Sequence, residues 1–511
     1  MLSICDNGAA APCPTSFNMA AHVLRHADEL NSKTALSLLG HDHAEDISFG
    51  ALKSAILGTA TGLLNAGLRR GDIVLMRLGN TVDFPISYLA CIAVGLIPVP
   101  TSSMLTPPEV AKMTAELSPR MILHDGQTAL PPVINCPVLT TQDLASFRDL
   151  PPAEFDFGDP NRLAYIIYTS GTSGQPRAVC HAHRAIWARQ MMQPGWTDLR
   201  PSDRLLHAGA FNWTYTLGTG LMDPWSVGAT ALIPNQGVEI AELHLLIDQH
   251  NATILAAAPG VFRKIIASFE QFKPKHLRHG LSAGEKLSDT LRATWHAKTG
   301  THLYEAYGMS ECSTFISASP TAPAQPGTLG RPQSGRRVAL VDQNGPVPLG
   351  TEGTIAVHRD DPGLMLGYFN PPNDTTAKFT PPKLRGDWFL TGDQGVMHPD
   401  HSITYAGRAD DMMNAGGYRV SPIEVEAALS QFPGIQQIGA TDVQVKQDVR
   451  VIAAFYTAEA DLNIDALQQF ATQTLAAYKQ PRIFQRLPAL PTNPNGKLSR
   501  STLRQNFEAS K

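Results

Sequence analysis

Short apolar runs alternate with helix-periodic segments through roughly the first 400 residues, and this alternation restricts the chain to parallel sheets flanked by helices, an α/β fold. Asp72-Ile73-Val74-Leu75-Met76 is short and continuously apolar, as a buried strand is, and Thr81 to Gly95 after it predicts a helix. Leu89 to Pro100 is an apolar stretch of about a dozen residues against the roughly 20 that cross a bilayer, so a buried helix running into a strand is predicted there. With 511 residues, 43% hydrophobic and 17% charged, the chain is large enough for more than one domain. Prolines and glycines crowd Thr321 to Pro399, and a different pattern begins near Gly407. It comprises a helix at Pro422 to Leu429, strands at Ile435 to Ala440 and Val449 to Tyr456, and a helix with Leu467, Phe470, Ala471 and Leu475 on one face. The sequence thus divides into a large domain, 1–406, and an α+β module, 407–511, of about 100 residues.

Charge and cysteine usage narrow the partners. The formal net charge is −4 and no dense basic stripe is present, so neither nucleic acid nor an anionic membrane surface is expected as a partner. Binding of small anions would have to be local. Cys5, Cys13, Cys91, Cys136, Cys180 and Cys312 lack C-x-x-C spacing, which argues against a zinc site or a disulfide framework and fits a reducing cytoplasm. Met1 to Thr15 has no basic region ahead of an apolar core, so it reads as a frayed start and not as a secretory signal. Cys180-His181-Ala182-His183 invites a metal, but three ligands within four residues converge poorly from a strand or helix, and packing near the nucleotide loop is expected instead.

The chemistry concentrates where the apolar run Leu163 to Ile167 passes into Tyr168-Thr169-Ser170-Gly171-Thr172-Ser173-Gly174-Gln175-Pro176-Arg177. Glycines admit backbone N–H groups to a polyphosphate, hydroxyls add donors, and Arg177 offers charge-assisted hydrogen bonds. The spacing is not G-x-x-x-x-G-K-[ST], which disfavours a Walker-type NTPase, and an ordinary Ser/Gly turn is the alternative for the loop alone. Tyr304-Glu305-Ala306-Tyr307-Gly308-Met309-Ser310-Glu311 offers a ring that can stack on a purine and a carboxylate that can hold Mg²⁺ with substrate phosphates; a core aromatic and a solvated acid are the alternatives. Phe389-Leu390-Thr391-Gly392-Asp393 ends a predicted strand with an acid suited to ribose hydroxyls, or to capping a helix. Gly407-Arg408-Ala409-Asp410-Asp411 and Asn414-Ala415-Gly416-Gly417-Tyr418-Arg419 join flexible backbone to fixed charge at the inferred boundary. Pro494-Asn495-Gly496-Lys497 sets one lysine on a turn near the end.

In this order, and across nearly the whole chain, these segments resemble the AMP-forming acyl- and aryl-CoA synthetases of the adenylate-forming superfamily, nearest to benzoate-type and short- to medium-chain CoA ligases. The resemblance implies a large amino-terminal domain of flanked parallel sheets with a small barrel-like subdomain, followed by a smaller mobile α+β domain. It implies ATP, Mg²⁺ and coenzyme A, and a small carboxylic acid as substrate. A carboxylate is a poor acyl donor, so the family first makes an acyl-adenylate and expels pyrophosphate, and a thiol then displaces AMP. Lys497 matches the catalytic lysine, Thr169 to Gly174 with Arg177 the β- and γ-phosphate loop, Ser310 a contact to the α-phosphate and Glu311 the Mg²⁺ ligand. Tyr307 matches the ring on adenine, Gly284 and Glu285 within Ser282 to Lys286 the adenine-edge segment, and Asp393 and Arg408 the ribose contacts. Asp410 matches the hinge, and Gly416 and Gly417 the backbone beside the pantetheine arm.

The sequence departs from the family with Arg177 for the usual lysine, Ala178 for glycine, Ser310 for threonine and Leu390 for a polar residue. Phe211 to Gly218 is similar to the segment that gates the acyl group, which sets Trp213 against the substrate, and a bulky indole there implies a small aromatic or short- to medium-chain acid; a buried core tryptophan is the alternative. Loading of a carrier-protein thiol, a luciferase-like oxygenation and a non-catalytic nucleotide-binding role are the rival functions, and a homodimer is an admissible assembly.

Overall fold

The computed structural model describes the chain except residues 9, 41–42, 170–176, 236, 285, 371–378, 409–412, 416–417, 421, 447–448, 492–497 and 511, and gives the backbone alone at 407, 408, 415, 419, 423 and 501. The β-then-α reading holds over the first three hundred or so residues, where it builds two sheets with parallel cores. Ile97–Pro100, Ile73–Arg77, Met121–His124 and Val138–Thr140 form a four-stranded parallel sheet in that order. In the nine-stranded sheet, His302–Met309, His279–Ala283, Ile254–Ala257, Arg204–His207, Thr230–Pro234 and Thr34–Leu39 run parallel, and antiparallel strands cover both edges. The helix Asp83–Ala93 is buried at every position, and its amino-acid run is apolar on all sides for that reason. It hands over to the strand Ile97–Pro100, as the sequence predicts.

From Arg331 to Arg408 the alternation ends, against the sequence reading. The turn-rich region supplies six strands of a seven-stranded antiparallel sheet whose longest member, Trp388–Met397, alternates partly and fully buried residues without interruption. Prolines and glycines here mark tight connections between short strands and not irregular loop. The amino terminus is not frayed either. Ile4–Asp6 adds an antiparallel strand beside Arg337–Asp342, because Cys5, 1% exposed, fills a gap in that sheet's core. The hairpin Leu163–Thr169 and Arg177–Ala182 joins Gly367–Phe369 and Phe379–Thr380 in a further four-stranded sheet.

Beyond Met413 the chain forms a hairpin, Met413–Ala415 with Tyr418–Val420, and a three-stranded sheet of Gln437–Lys446, Val449–Thr457 and Ile483–Arg486. Side chains of the central strand alternate between two cores. Ile452, Ala454 and Tyr456 meet Val425 and Leu429 of helix Pro422–Leu429 and Leu467 and Ala471 of helix Ile464–Thr474. Ala453 and Phe455 meet Leu498, Leu503 and Phe507 on the opposite face. Gln437–Lys446 extends past the expected end at Ala440 because its polar residues are satisfied: Asp442, 6% exposed, is bonded by Arg450 and Arg504. Hydropathy does not register such pairing.

Candidate functional site

A cavity of about 820 Å³ opens where the parallel strands His279–Ala283 and His302–Met309 end. Carboxyl ends of parallel strands are where open α/β sheets bind ligands, since loops there are free to diverge. One wall is Gly284 and the segment Gly308 to Glu311. Thr169 and Arg177, the two ends of the hairpin sheet's loop and register partners, form another. Thr391 and Gly392 come from the seven-stranded sheet, and Tyr418 and Tyr478 from the carboxy-terminal module.

The residues singled out in the sequence meet unequal fates. Thr169, Arg177, Trp213, Gly284, Ser310 and Glu311 line this one cavity. Tyr307 stands beside it, its hydroxyl donating to Asp393 Oδ2 at 2.6 Å and its ring edge-on to Phe315 at 5.4 Å. Burial and the neighbouring carboxylate hold the Tyr307 phenol well above its ordinary value. Asp393 is 3% exposed, also accepts from the Tyr405 hydroxyl at 3.3 Å, and pairs in register with Arg408. It does not end a strand, as the sequence reading has it, because Trp388–Met397 continues through it; Gly392, at φ +80°, supplies a left-handed kink just before. Ser170, Gly171, Thr172, Ser173, Gly174, Glu285, Asp410, Gly416, Gly417 and Lys497 lie outside the described residues, as does the side chain of Arg408.

Gly308 admits no side chain: a Cβ would come within 2.2 Å of the Ser313 carbonyl oxygen and 2.5 Å of Thr314 Cα. That contact folds the strand Ser313–Ser317 back against His302–Met309 at a register shift between Tyr307 and Gly308, and turns Ser310 and Glu311 into the cavity. His181 then fixes the turn. Its Nε2 donates to the Ser310 carbonyl at 2.7 Å, and its ring stacks on Tyr165 at 4.9 Å. Burial pulls this imidazole down to about 4, so it is neutral near pH 7. Neighbouring residues of the Cys-His-Ala-His run have other surroundings: Cys180 packs in an apolar core and His183 Nδ1 accepts from the Met19 N–H at 3.1 Å.

Tyr368 carries no signal in the sequence and yet joins two of the predicted residues. Its hydroxyl donates to Glu311 Oε1 at 3.1 Å, and the Arg177 guanidinium lies 4.5 Å above its ring. Burial and the Glu311 carboxylate push the Tyr368 phenol up to about 12. Trp213 is half-buried, edge-on to Tyr215 at 5.2 Å and stacked at 6.5 Å on Tyr418, so it is both cavity wall and contact to the carboxy-terminal module. Tyr418 stacks in turn on Tyr478 at 4.2 Å. The buried Lys479 Nζ beside it spans Glu109 at 3.0 Å and Glu424 at 2.8 Å, joining the helix Pro107–Leu117 to the helix Pro422–Leu429.

The donor set suits a nucleotide and a hard cation. Thr314 Oγ1 and His181 Nδ1, buried atoms of two residues that line the cavity, have no partner among the described residues, Arg177 is an exposed cation, and Glu311 offers carboxylate oxygen. Among the described residues no group of three His, Cys, Asp or Glu side chains could hold a metal by itself, so a cation here would share its ligands with substrate phosphates.

An α/β enzyme with a nucleotide-sized cleft between a large and a small unit is the class that this fold and site define. The chain belongs to the AMP-binding enzyme family: the family's model matches residues 23–369, and that of the AMP-binding enzyme C-terminal domain matches 424–497. It is 28% identical to the human mitochondrial acyl-coenzyme A synthetase ACSM3 over 473 residues, 86% of this chain and 79% of the relative. It is 27% identical to the 3-hydroxybenzoate–CoA ligase of Aromatoleum sp. (strain CIB) over 495 residues, 91% of this chain and 92% of the relative. The o-succinylbenzoate CoA synthetase MenE of Bacillus subtilis, solved with its product analogue OSB-NCoA, has the same fold, with a TM-score of 0.82 at 22% identity over 96% of this chain and 99% of that one. No helix among the described residues is long and apolar enough to cross a membrane.

Proposed function

We propose that the chain is an ATP-dependent carboxylate–CoA ligase, forming an acyl-adenylate with release of pyrophosphate and then an acyl-CoA thioester with release of AMP. The observation that carries this reading is the convergence of Arg177, Ser310 and Glu311 on one cavity that the apolar side chains of Trp213, Ile186, Leu217 and Met222 also line. Polyphosphate chemistry and an acyl pocket are thereby contiguous.

In the first half-reaction a carboxylate approaches an already anionic α-phosphate, so positive charge and donors must be in place as the new bond forms. The loop from Thr169 to Gly174, with Arg177, holds the β- and γ-phosphates, and Ser310 meets the α-phosphate. Glu311, together with phosphate oxygens, would hold Mg²⁺, which would supply charge neutralisation for the leaving pyrophosphate. Lys497 bridges carboxylate and α-phosphate. Tyr307, Gly284 and Glu285 take the adenine, and Asp393 and Arg408 the ribose. The Tyr307 hydroxyl on Asp393 fits that role by holding a buried carboxylate in a fixed orientation.

For the second half-reaction the module 407–511 turns about Asp410 and brings Gly416 and Gly417 beside the CoA arm. Tyr418, directly after those glycines, stacks on Trp213, and both line the cavity. Trp213 shortens the acyl pocket, which favours a small aromatic or short- to medium-chain acid. The cysteines Cys5, Cys13, Cys91, Cys136, Cys180 and Cys312 are all free thiols, which suits the cytoplasm or another reducing compartment. Homodimer formation and a carrier-protein acceptor are compatible with this reading.

The test is to incubate the purified enzyme with ATP, Mg²⁺ and a panel of benzoate-like, short-chain and medium-chain acids, with and without CoA, and to measure AMP, pyrophosphate and acyl-CoA. Acid-dependent AMP and acyl-CoA in equal amounts are expected, with palmitate a poor substrate. Pyrophosphate release without a thioester would replace CoA by a carrier protein, and ready turnover of palmitate would overturn the pocket assignment.

A further inference from the structure

The cavity that Trp213 lines is not walled by hydrocarbon alone. Tyr165 belongs to the strand Leu163–Thr169 but lies four residues back from Thr169, about 13 Å deeper than the strand end at the phosphate-binding wall. It lines the cavity together with Tyr88 and Arg189. The Tyr88 ring packs on Tyr165 at 5.9 Å, and the Tyr88 hydroxyl is fully buried with no hydrogen-bond partner among the described residues. A buried hydroxyl left without a partner, on a residue that lines a cavity, is a group that a ligand can satisfy.

Arg189 is held with unusual completeness for a pocket residue. Its Nε and Nη2 each reach an Asp223 oxygen at 2.6 Å, Nη2 also donates to Thr219 Oγ1 at 3.0 Å, and Nη1 donates to Ser313 Oγ at 2.6 Å. Two features of the backbone serve this arrangement. Ser313 keeps a left-handed conformation, φ +64°, that a non-glycine residue adopts at a cost, and Gly218 leaves a space in which a Cβ would meet Nη2 at 2.5 Å. One Nη1 proton remains without an acceptor among the described residues. Because Asp223 cancels the arginine's charge, a second carboxylate on the substrate would be an uncompensated buried anion there. A neutral hydrogen-bonding group would not.

We infer that the deep end of the acyl pocket recognises a neutral polar substituent, a hydroxyl or amino group, carried by the substrate acid on the side away from its reacting carboxylate, and that Tyr88, Tyr165 and Arg189 form that subsite. The inference rests on the ligase reading and specifies its substrate class: hydroxylated or aminated aromatic acids, or ω-hydroxylated short chains, over their unsubstituted counterparts.

Calorimetric binding of non-hydrolysable acyl-adenylate mimics tests it, using acyl-sulfamoyl adenosines in matched pairs: benzoyl against 3- and 4-hydroxybenzoyl, and hexanoyl against 6-hydroxyhexanoyl. At least one hydroxylated mimic should bind the wild type about tenfold more tightly than its partner, and in Tyr88→Phe that ratio should fall to within about twofold of one. A 3-carboxybenzoyl mimic should bind more weakly than benzoyl. Equal or tighter binding of the unsubstituted mimic in every pair, or a ratio that Tyr88→Phe leaves unchanged, would overturn the subsite while the ligase reading stands. Binding of no mimic at all would overturn the ligase reading itself, because the adenylate half is common to every probe.

Discussion

Glu305 and Tyr307 stand two residues apart on one strand, and burial keeps both from ionising at their ordinary values. Glu305 is 1% exposed, accepts from the Leu287 N–H at 2.8 Å and from Arg292 at 3.3 Å, and is pushed up from 4.5 to about 7 mainly by burial. Because the folded value is the higher one, the folded state binds this proton more tightly than the unfolded chain. The resulting stability is fully present below pH 4.5 and is lost as pH rises through about 7. Glu305→Gln, which mimics the protonated acid, should therefore gain in Tm relative to wild type between pH 5 and pH 8; a pH-independent difference would contradict the assignment. Tyr368→Phe removes the hydroxyl that donates to Glu311 Oε1 while leaving the ring under Arg177, so kcat/KM for ATP should fall about tenfold with little change in Tm. At this scale the sequence was informative where residue type and chemistry coincide, as in Arg177, Ser310 and Glu311. Tyr368, Tyr88 and Arg189 were not legible, since a tyrosine or arginine in an apolar run looks the same whether it faces a core or a cavity.

Single positions act through the elements that carry them, and the turn after His302–Met309 is the clearest case. Gly308 lets two strands cross at backbone contact, so Gly308→Ala must displace the Ser313–Thr314 backbone and with it Ser310 and Glu311. A loss of about 2–4 kcal/mol in stability is expected from overpacking against backbone, together with a fall in turnover beyond that in folded protein. The helix Pro107–Leu117 and the helix Pro422–Leu429 are joined by Lys479, whose side chain is 5% exposed between Glu109 and Glu424. Lys479→Met would leave two facing carboxylates without their cation, and acyl-CoA formation from pre-formed acyl-adenylate should slow about tenfold or more. An unchanged rate would mean that this contact does not accompany the thioester step. Elements with strong apolar periodicity, such as Asp83–Ala93 and Ile464–Thr474, were legible in sequence. Of the antiparallel strands between Arg331 and Arg408 the one through Phe389 to Asp393 was legible, whereas the shorter ones were hidden by the prolines and glycines of their own turns.

On the scale of the whole molecule, the carboxy-terminal sheet has two working faces. The hairpin Met413–Ala415 and Tyr418–Val420 shares a core with one face and reaches Trp213 in the cavity wall, whereas Leu498, directly after the segment that carries Lys497, packs into the core of the other. A single rigid orientation cannot offer both faces to one cavity, which is why we assign the two half-reactions to two orientations of this module about Asp410. The family resemblance of the ordered motifs implies the same division; which face meets the cavity required the structure, because it depends on long-range contacts such as Trp213 with Tyr418. The most direct measurement is a single-turnover comparison of the two half-reactions in Lys497→Ala: acyl-adenylate formation from acid and ATP, and thioester formation from pre-formed acyl-adenylate and CoA. A loss of about a hundredfold or more is expected in the first step, with the second within a few-fold of wild type. Equal loss in both steps, or none in the first, would contradict the two-orientation assignment.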